Sequence, residues 1–252
     1  MNLKPFFSAL RFLTIVPIPE SWCGDEDDFY RSPDWYPLVG LCLGLFLVLL
    51  DMVLRWLLPL SVVNVLLLVA MIAVSGALHL DGLADSADAF FSSRGREQML
   101  EIMKDSRSGP MGVTAIVLVL LLKLMLLIAL PSAWRWQVLL LMPLCGRCSL
   151  ALVSSWLPYS RHSGTAKFSE KQKNSFRLPI SLAVMLFVAF ILMGWSAGVV
   201  VFGFVVVSIW LLGRYSRRKI GGFTGDTLGA TCELVEMVPL LAVVVLVHMG
   251  WM

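Results

Sequence analysis

The chain has 252 residues, 58% of them apolar and 15% charged, with a formal net charge of +3. Soluble domains hold about 45–50% apolar residues and about 25% charged ones. A mean hydropathy of +0.83 therefore excludes the soluble, fibrous and disordered classes and puts the chain in a bilayer. No Lys/Arg block tracks a phosphate backbone, which argues against nucleic acid as a partner.

In chain order, Lys4, Ser8 and Arg11 recur at i, i+4 and i+7 among Phe, Leu and Val. That spacing predicts a helix within residues 1–19, lying in the membrane interface or forming a short re-entrant segment and stopped by Pro17 and Pro19. Arg11 interrupts the apolar run and no small-residue cleavage site follows, unlike a signal peptide. The acidic stretch Glu20–Asp28 reads as a solvated loop. A span needs about 20 apolar residues. Candidates are Pro37–Leu58, Leu60–Leu80, Pro110–Leu130, Trp136–Leu157, Pro179–Gly194, Ala197–Gly213 and Thr231–Trp251, with turns marked by Pro59, Pro131 and Gly194. The expectation is an all-α polytopic membrane protein: one domain over 1–252, with about seven transmembrane helices in a bundle over 37–251 and candidate active-site segments at 81–109 and 221–236.

Residues 1–36, 81–109, 158–178 and 214–230 fall on one side and hold 16 of the 20 basic residues. Short loops rich in Lys and Arg stay cytoplasmic, so any chemistry is expected on the cytoplasmic face of the membrane. Five cysteines, Cys23, Cys42, Cys145, Cys148 and Cys232, suggest no disulfide framework and read as buried small thiols.

Asp81, Asp85 and Asp88 are i, i+4 and i+7, so on a helix three carboxylates share one face. Small neighbours such as Gly82, Ala84 and Ala87 make poor material for a merely solvated face, and hard oxygen ligands suit Mg²⁺ together with substrate phosphates. Asp105 and Arg107, before Gly109 and Gly112, suit either a metal and a phosphate or a capped turn with a surface ion pair. Thr224, Gly225, Asp226 and Thr227 form a glycine-rich turn at a helix start, and Glu233 continues the face of Asp226 into the membrane. Asp51 and Arg55 read as a structural pair, and Lys123 as a charge that snorkels or pairs within the bundle. Arg147 is either a phosphate ligand or a structural charge. His79, His162 and His248 give no metal-ligand spacing.

The runs from Gly76 to Asp88, from Glu101 to Gly109 and from Gly222 to Ala230, with the amino-terminal run Leu10–Pro19, closely resemble the cobalamin synthase (adenosylcobinamide-GDP ribazoletransferase) family. The resemblance runs from the first residues to about Glu236. It implies a membrane transferase in which a ribose hydroxyl of α-ribazole or its 5′-phosphate attacks the cobinamide-linked phosphorus of adenosylcobinamide-GDP, releasing GMP. The implied cofactor is Mg²⁺. On that reading Asp81, Asp85 and Asp88 hold the metal, with Asp105 or Asp226 completing the shell, and one carboxylate takes the hydroxyl proton. Arg107, Arg147, Thr224, Gly225, Thr227 and Glu233 serve the phosphates. Asp81-Gly82 and the spaced aspartates are also similar, more loosely, to the CDP-alcohol phosphotransferases of phospholipid synthesis. Ala84-Asp85 stands nearest to where those enzymes have Ala-Arg. A cation-coupled transporter is the alternative from another class, although it would place its acids near the midplane. Self-association is left open.

Overall fold

The structure is a computed structural model that describes residues 3–105, 107–161 and 177–251, with the backbone alone at residues 177 and 178. The described residues are almost all helical: α1 Lys4–Leu13, α2 Glu26–Arg31, α3 Tyr36–Leu57, α4 Leu60–Ser75, α5 Leu78–Phe90, α6 Arg96–Ile102, α7 Pro110–Ala129, α8 Arg135–Trp156, α9 Arg177–Ile220 and α10 Gly225–His248. Single 3₁₀ turns cover Glu20–Trp22, Ser32–Trp35 and Ser132–Trp134. The acidic stretch expected as a loop thus holds a turn and the start of α2, whose first turn is capped by the Asp25 carboxylate accepting from the Asp28 N–H at 3.0 Å.

Among the described residues five helices are long and apolar enough to cross a membrane, or six if the bent pair α4–α5 counts as one, against the seven expected. The protein is an all-α, multi-pass membrane protein. The difference in count arises at two breaks. Gly76 (φ 58°) and Ala77 (φ 59°) are consecutive left-handed residues. They turn the chain by 88° between α4 and α5, so the expected second span stops at Ser75 and the acidic stripe lies on a separate helix. Within α9, Gly194 takes φ 76° and ψ 178°. A Cβ on Gly198 would lie 2.6 Å from the Ala189 carbonyl oxygen, nine residues back, where a straight helix separates residues by ~13 Å. The chain therefore doubles back at Gly194, and α9 is two helical arms joined by a tight turn.

α8 is the hub: nearly every residue from Gln137 to Ser154 is buried, whereas most of α7 is not. α3 lies directly on it, because Gly40 and Gly44 present no side chain. A Cβ on Gly40 would stand 2.7 Å from Leu144 Cα, and one on Gly44 2.5 Å from the Leu140 oxygen. Small residues four apart are the usual means of close helix approach in lipid. At one end of this pair Arg135 donates to Asp51 (2.8 and 2.9 Å) and to Asn64 Oδ1 (2.7 Å). Asp51 is thus held mainly by α8, while Arg55 stays 3.8 Å away.

α1 packs its Ala9 and Leu13 against Tyr36, Val39, Leu150 and Ala151, and at about 15 Å it is too short to span. Ser8 is buried with them. The polar stripe read from Lys4, Ser8 and Arg11 is therefore divided, with Arg11 turned outward to Glu20 at 2.8 Å. The cysteines also divide. Cys145, Cys148 and Cys232 are buried thiols as expected, but Cys23 is half-exposed and Cys42 sits on the outer face of α3.

Candidate active site

At the opposite end of the bundle from Asp51 and Arg135, the start of α10 crosses α5. The crossing is close because both helices offer glycine. A Cβ on Gly82 would meet the Asp226 carbonyl oxygen at 2.6 Å, and one on Gly229 the His79 carbonyl oxygen at 3.2 Å. Asp226 is thereby brought beside the α5 stripe. Asp81, Asp88 and Asp226 all act electrostatically on the half-buried Asp85, as does Arg161. Among the described residues no side chain hydrogen-bonds to the carboxylates of Asp81 or Asp85.

Asp88 is engaged differently. Its Oδ2 accepts from the Gly109 N–H at 2.6 Å and its Oδ1 from the Gly112 N–H at 2.9 Å. Asp88 thus caps α7, meeting the unpaired amides and positive end of that helix. Gly109 and Gly112 are needed there because a Cβ on either would collide with the Asp88 carboxylate.

The sequence reading missed Arg161. Its Nη2 donates to Asp226 Oδ2 at 2.6 Å and to the Met103 carbonyl at 3.3 Å. A short parallel pairing aims it: the Ser160 N–H donates to the Phe223 carbonyl (2.8 Å) and the Phe223 N–H to the Pro158 carbonyl (3.0 Å). Nothing near Arg161 in sequence signals a partner 65 residues away.

The glycine-rich turn folds as a capping box. The Thr224 N–H donates to Thr227 Oγ1 at 2.8 Å, and the Thr227 N–H to Thr224 Oγ1 at 3.3 Å. Both threonines are buried, which leaves Gly225, exposed with open space around it, at the accessible helix start. Asp105 and Arg107 form an exposed bidentate pair at 2.7–3.2 Å, the capped-turn alternative. The Arg107 guanidinium holds the Asp105 carboxyl below the usual carboxylate range. Ser106 between them, like His162 further on, lies outside the described residues.

Arg147 and Glu233, expected at the phosphates, lie instead in the bundle interior. Lys123 Nζ donates to Glu233 Oε2 at 2.5 Å and to Glu236 Oε2 at 2.7 Å, and Arg147 Nη1 donates to Glu236 Oε1. Two cations and two anions neutralise one another, which is how ionisable groups survive at membrane depth. Lys123 therefore pairs within the bundle. Buried His79 adjoins these charges, with both ring nitrogens unpartnered among the described residues.

The sequence profile of the cobalamin-5-phosphate synthase family matches residues 5–244. The chain belongs to that family. Relatives named adenosylcobinamide-GDP ribazoletransferase include proteins of Geotalea daltonii (37% identical, covering 96% of this chain and 97% of the relative), Pseudomonas fluorescens (41%, 96% and 99%) and Pseudomonas paraeruginosa (43%, 95% and 97%). No solved structure matches the chain. All three motifs quoted from the sequence lie within the matched region of this family.

Among the described residues no three His, Cys, Asp or Glu side chains converge into a ready-made metal cage. Asp81, Asp85 and Asp226 nonetheless fit Mg²⁺. They are hard oxygen donors that act on one another electrostatically, and among the described residues Arg161 alone of the arginines bonds to them. Mg²⁺ typically takes one or two carboxylates, several waters and substrate phosphates rather than a protein cage.

Proposed function

We propose that the chain is an adenosylcobinamide-GDP ribazoletransferase, joining that substrate to α-ribazole or α-ribazole 5′-phosphate. What carries this reading is the near-full-length likeness to proteins of that name. The relatives give no comparable support to a CDP-alcohol transferase or a transporter. The site lends chemical support: carboxylates without hydrogen-bond partners among the described residues, an arginine and an accessible helix start gather at one end of the bundle, as transfer from a diphosphate requires.

In the proposed reaction a ribose hydroxyl oxygen forms a bond to the cobinamide-linked phosphorus as the bond to the GMP phosphate breaks. The hydroxyl proton passes to Asp85, and GMP leaves with the bridging oxygen. Asp81 and Asp226 are the proposed holders of Mg²⁺, which when bound offsets charge on the diphosphate and the leaving oxygen. Arg161 and the Gly225 N–H hold phosphate oxygens. Arg107 reaches an outlying phosphate by leaving Asp105. Asp88 keeps α5 and α7 in register, and Thr224 and Thr227 shape the start of α10. We assign this end of the bundle to the cytoplasmic side of a bacterial inner membrane, on the basic-residue asymmetry.

The test is GMP release by the detergent-purified protein given adenosylcobinamide-GDP and α-ribazole, with Mg²⁺, with EDTA, and as Asp81→Ala. Mg²⁺-dependent release that the variant lacks is expected. A folded wild type that releases no GMP overturns the assignment.

A further inference from the structure

On the face of α5 away from the acidic stripe lies an apolar cavity of about 310 Å³ between α5, α7, the second arm of α9 and α10. Leu83, Phe90, Phe91, Leu118, Leu212 and Tyr215 are among its walls. Phe91, Leu118 and Tyr215 are 41–61% exposed, so the cavity opens sideways on the bundle surface where lipid lies. Ser216, Thr227 and Thr231 also line it, but their hydroxyls donate to backbone carbonyls. Ser86, 4% exposed, lines it with a hydroxyl that has no partner among the described residues.

The mouth nearest the acidic end is basic. Lys219 lies one turn beyond Tyr215 on the same face of α9, its Nζ 5.6 Å from that ring and donating to the Phe90 carbonyl at 2.9 Å. Exposed Arg217 and Arg218 precede it. The Arg96 guanidinium lies within 3.2–3.4 Å of where a Gly221 Cβ would sit, just past the end of α9. An apolar slot that opens to lipid beneath a crown of cations matches one molecule in both halves, acyl chain below and anionic headgroup above.

We propose that this cavity binds an anionic phospholipid, one acyl chain against Leu118, Leu212 and Tyr215 and the phosphate at Lys219, Arg218 and Arg96. The Ser86 hydroxyl donates to an ester carbonyl. The bound lipid then backs the helix that carries Asp81 and Asp85. This inference stands on the cavity and its charges and is independent of the assigned reaction.

The experiment is native mass spectrometry of delipidated protein titrated with phosphatidylglycerol or with phosphatidylcholine of identical chains. With each of the three cations counting for about fivefold beside an anionic headgroup, the wild type is expected to retain phosphatidylglycerol about a hundredfold better. Arg218→Ala with Lys219→Ala lowers the preference to about fivefold, and adding Arg96→Ala brings the two lipids to near parity. Ala115→Phe, which fills the slot, lowers retention of both lipids. The rim residues are outside the packed bundle, so the charge variants test the proposal even if Ala115→Phe does not fold. Lys219→Arg keeps the preference. Equal retention of both lipids by the wild type overturns the proposal, as does a preference that survives removal of all three cations.

Discussion

Arg161 hydrogen-bonds into the acidic cluster while Arg107 stands outside it, and their removal should read differently. Arg161→Ala is expected to lower kcat/KM for GMP release by ~10²–10³-fold, as loss of one preorganised donor does, with little change in thermal stability. Arg107→Ala, which breaks an exposed pair, should cost less than Arg161→Ala in the same assay. Deeper in the bundle, Lys123→Met leaves Glu233 without its hydrogen-bonded cation and Glu236 with Arg147 alone. A loss of about 3–5 kcal/mol follows, measurable as a lower unfolding temperature in detergent; an unchanged midpoint contradicts the buried network. At this scale the sequence was legible wherever chemistry is local. The i, i+4, i+7 aspartates share a face as their spacing requires. It placed Asp88 among the metal ligands without its cap on α7 and did not single out Arg161, because their partners lie 21 and 65 residues away and hydrogen bonds across such distances leave no periodic trace. Arg147 stayed open between a phosphate ligand and a structural charge, and Glu233 was placed with the phosphates, because a lone intramembrane charge does not reveal its counter-ion.

The helices explain two glycines that behave in opposite ways. At Gly82 the obstacle to a side chain is the Asp226 backbone at 2.6 Å. Gly82→Ala must push α10 off α5, and since a misplacement of ~1 Å can cost ~10²-fold, GMP release should fall at least about tenfold with only a modest drop in stability. At Gly194 nothing lies within 4 Å of an added Cβ, and the obstacle is the positive φ. Gly194→Ala should cost about 1–3 kcal/mol in unfolding experiments and leave KM for both substrates unchanged, because the turn is at the end of α9's arms remote from Asp226. Most element positions could be read from apolar runs and proline punctuation. The α4–α5 bend could not, because hydrophobicity continues through Gly76 and Ala77 to Leu80 and only the paired left-handed residues break it. α8 was visible as a span but not as the hub, since burial by protein and burial by lipid select the same residues.

For the molecule as a whole, the proposed sidedness makes a direct expectation. In a background with the five cysteines replaced, Arg94→Cys should react with a membrane-impermeant maleimide in inverted vesicles and Ala133→Cys in right-side-out cells; the reverse pattern refutes the orientation. The Lys123, Arg147, Glu233 and Glu236 network also bears on how the protein is made. The anions on α10 that pair with Lys123 and Arg147 follow them in the chain by as much as 113 and 89 residues. While the nascent chain is being threaded into the bilayer, α7 and α8 each carry a cation whose neutralising carboxylate has yet to be synthesised. Such helices are poorly suited to leave the insertion machinery alone, and a chain halted before Glu233 should be retained there or degraded. In this architecture the release of the middle helices into lipid waits on the arrival of α10, so biogenesis is ordered by charge.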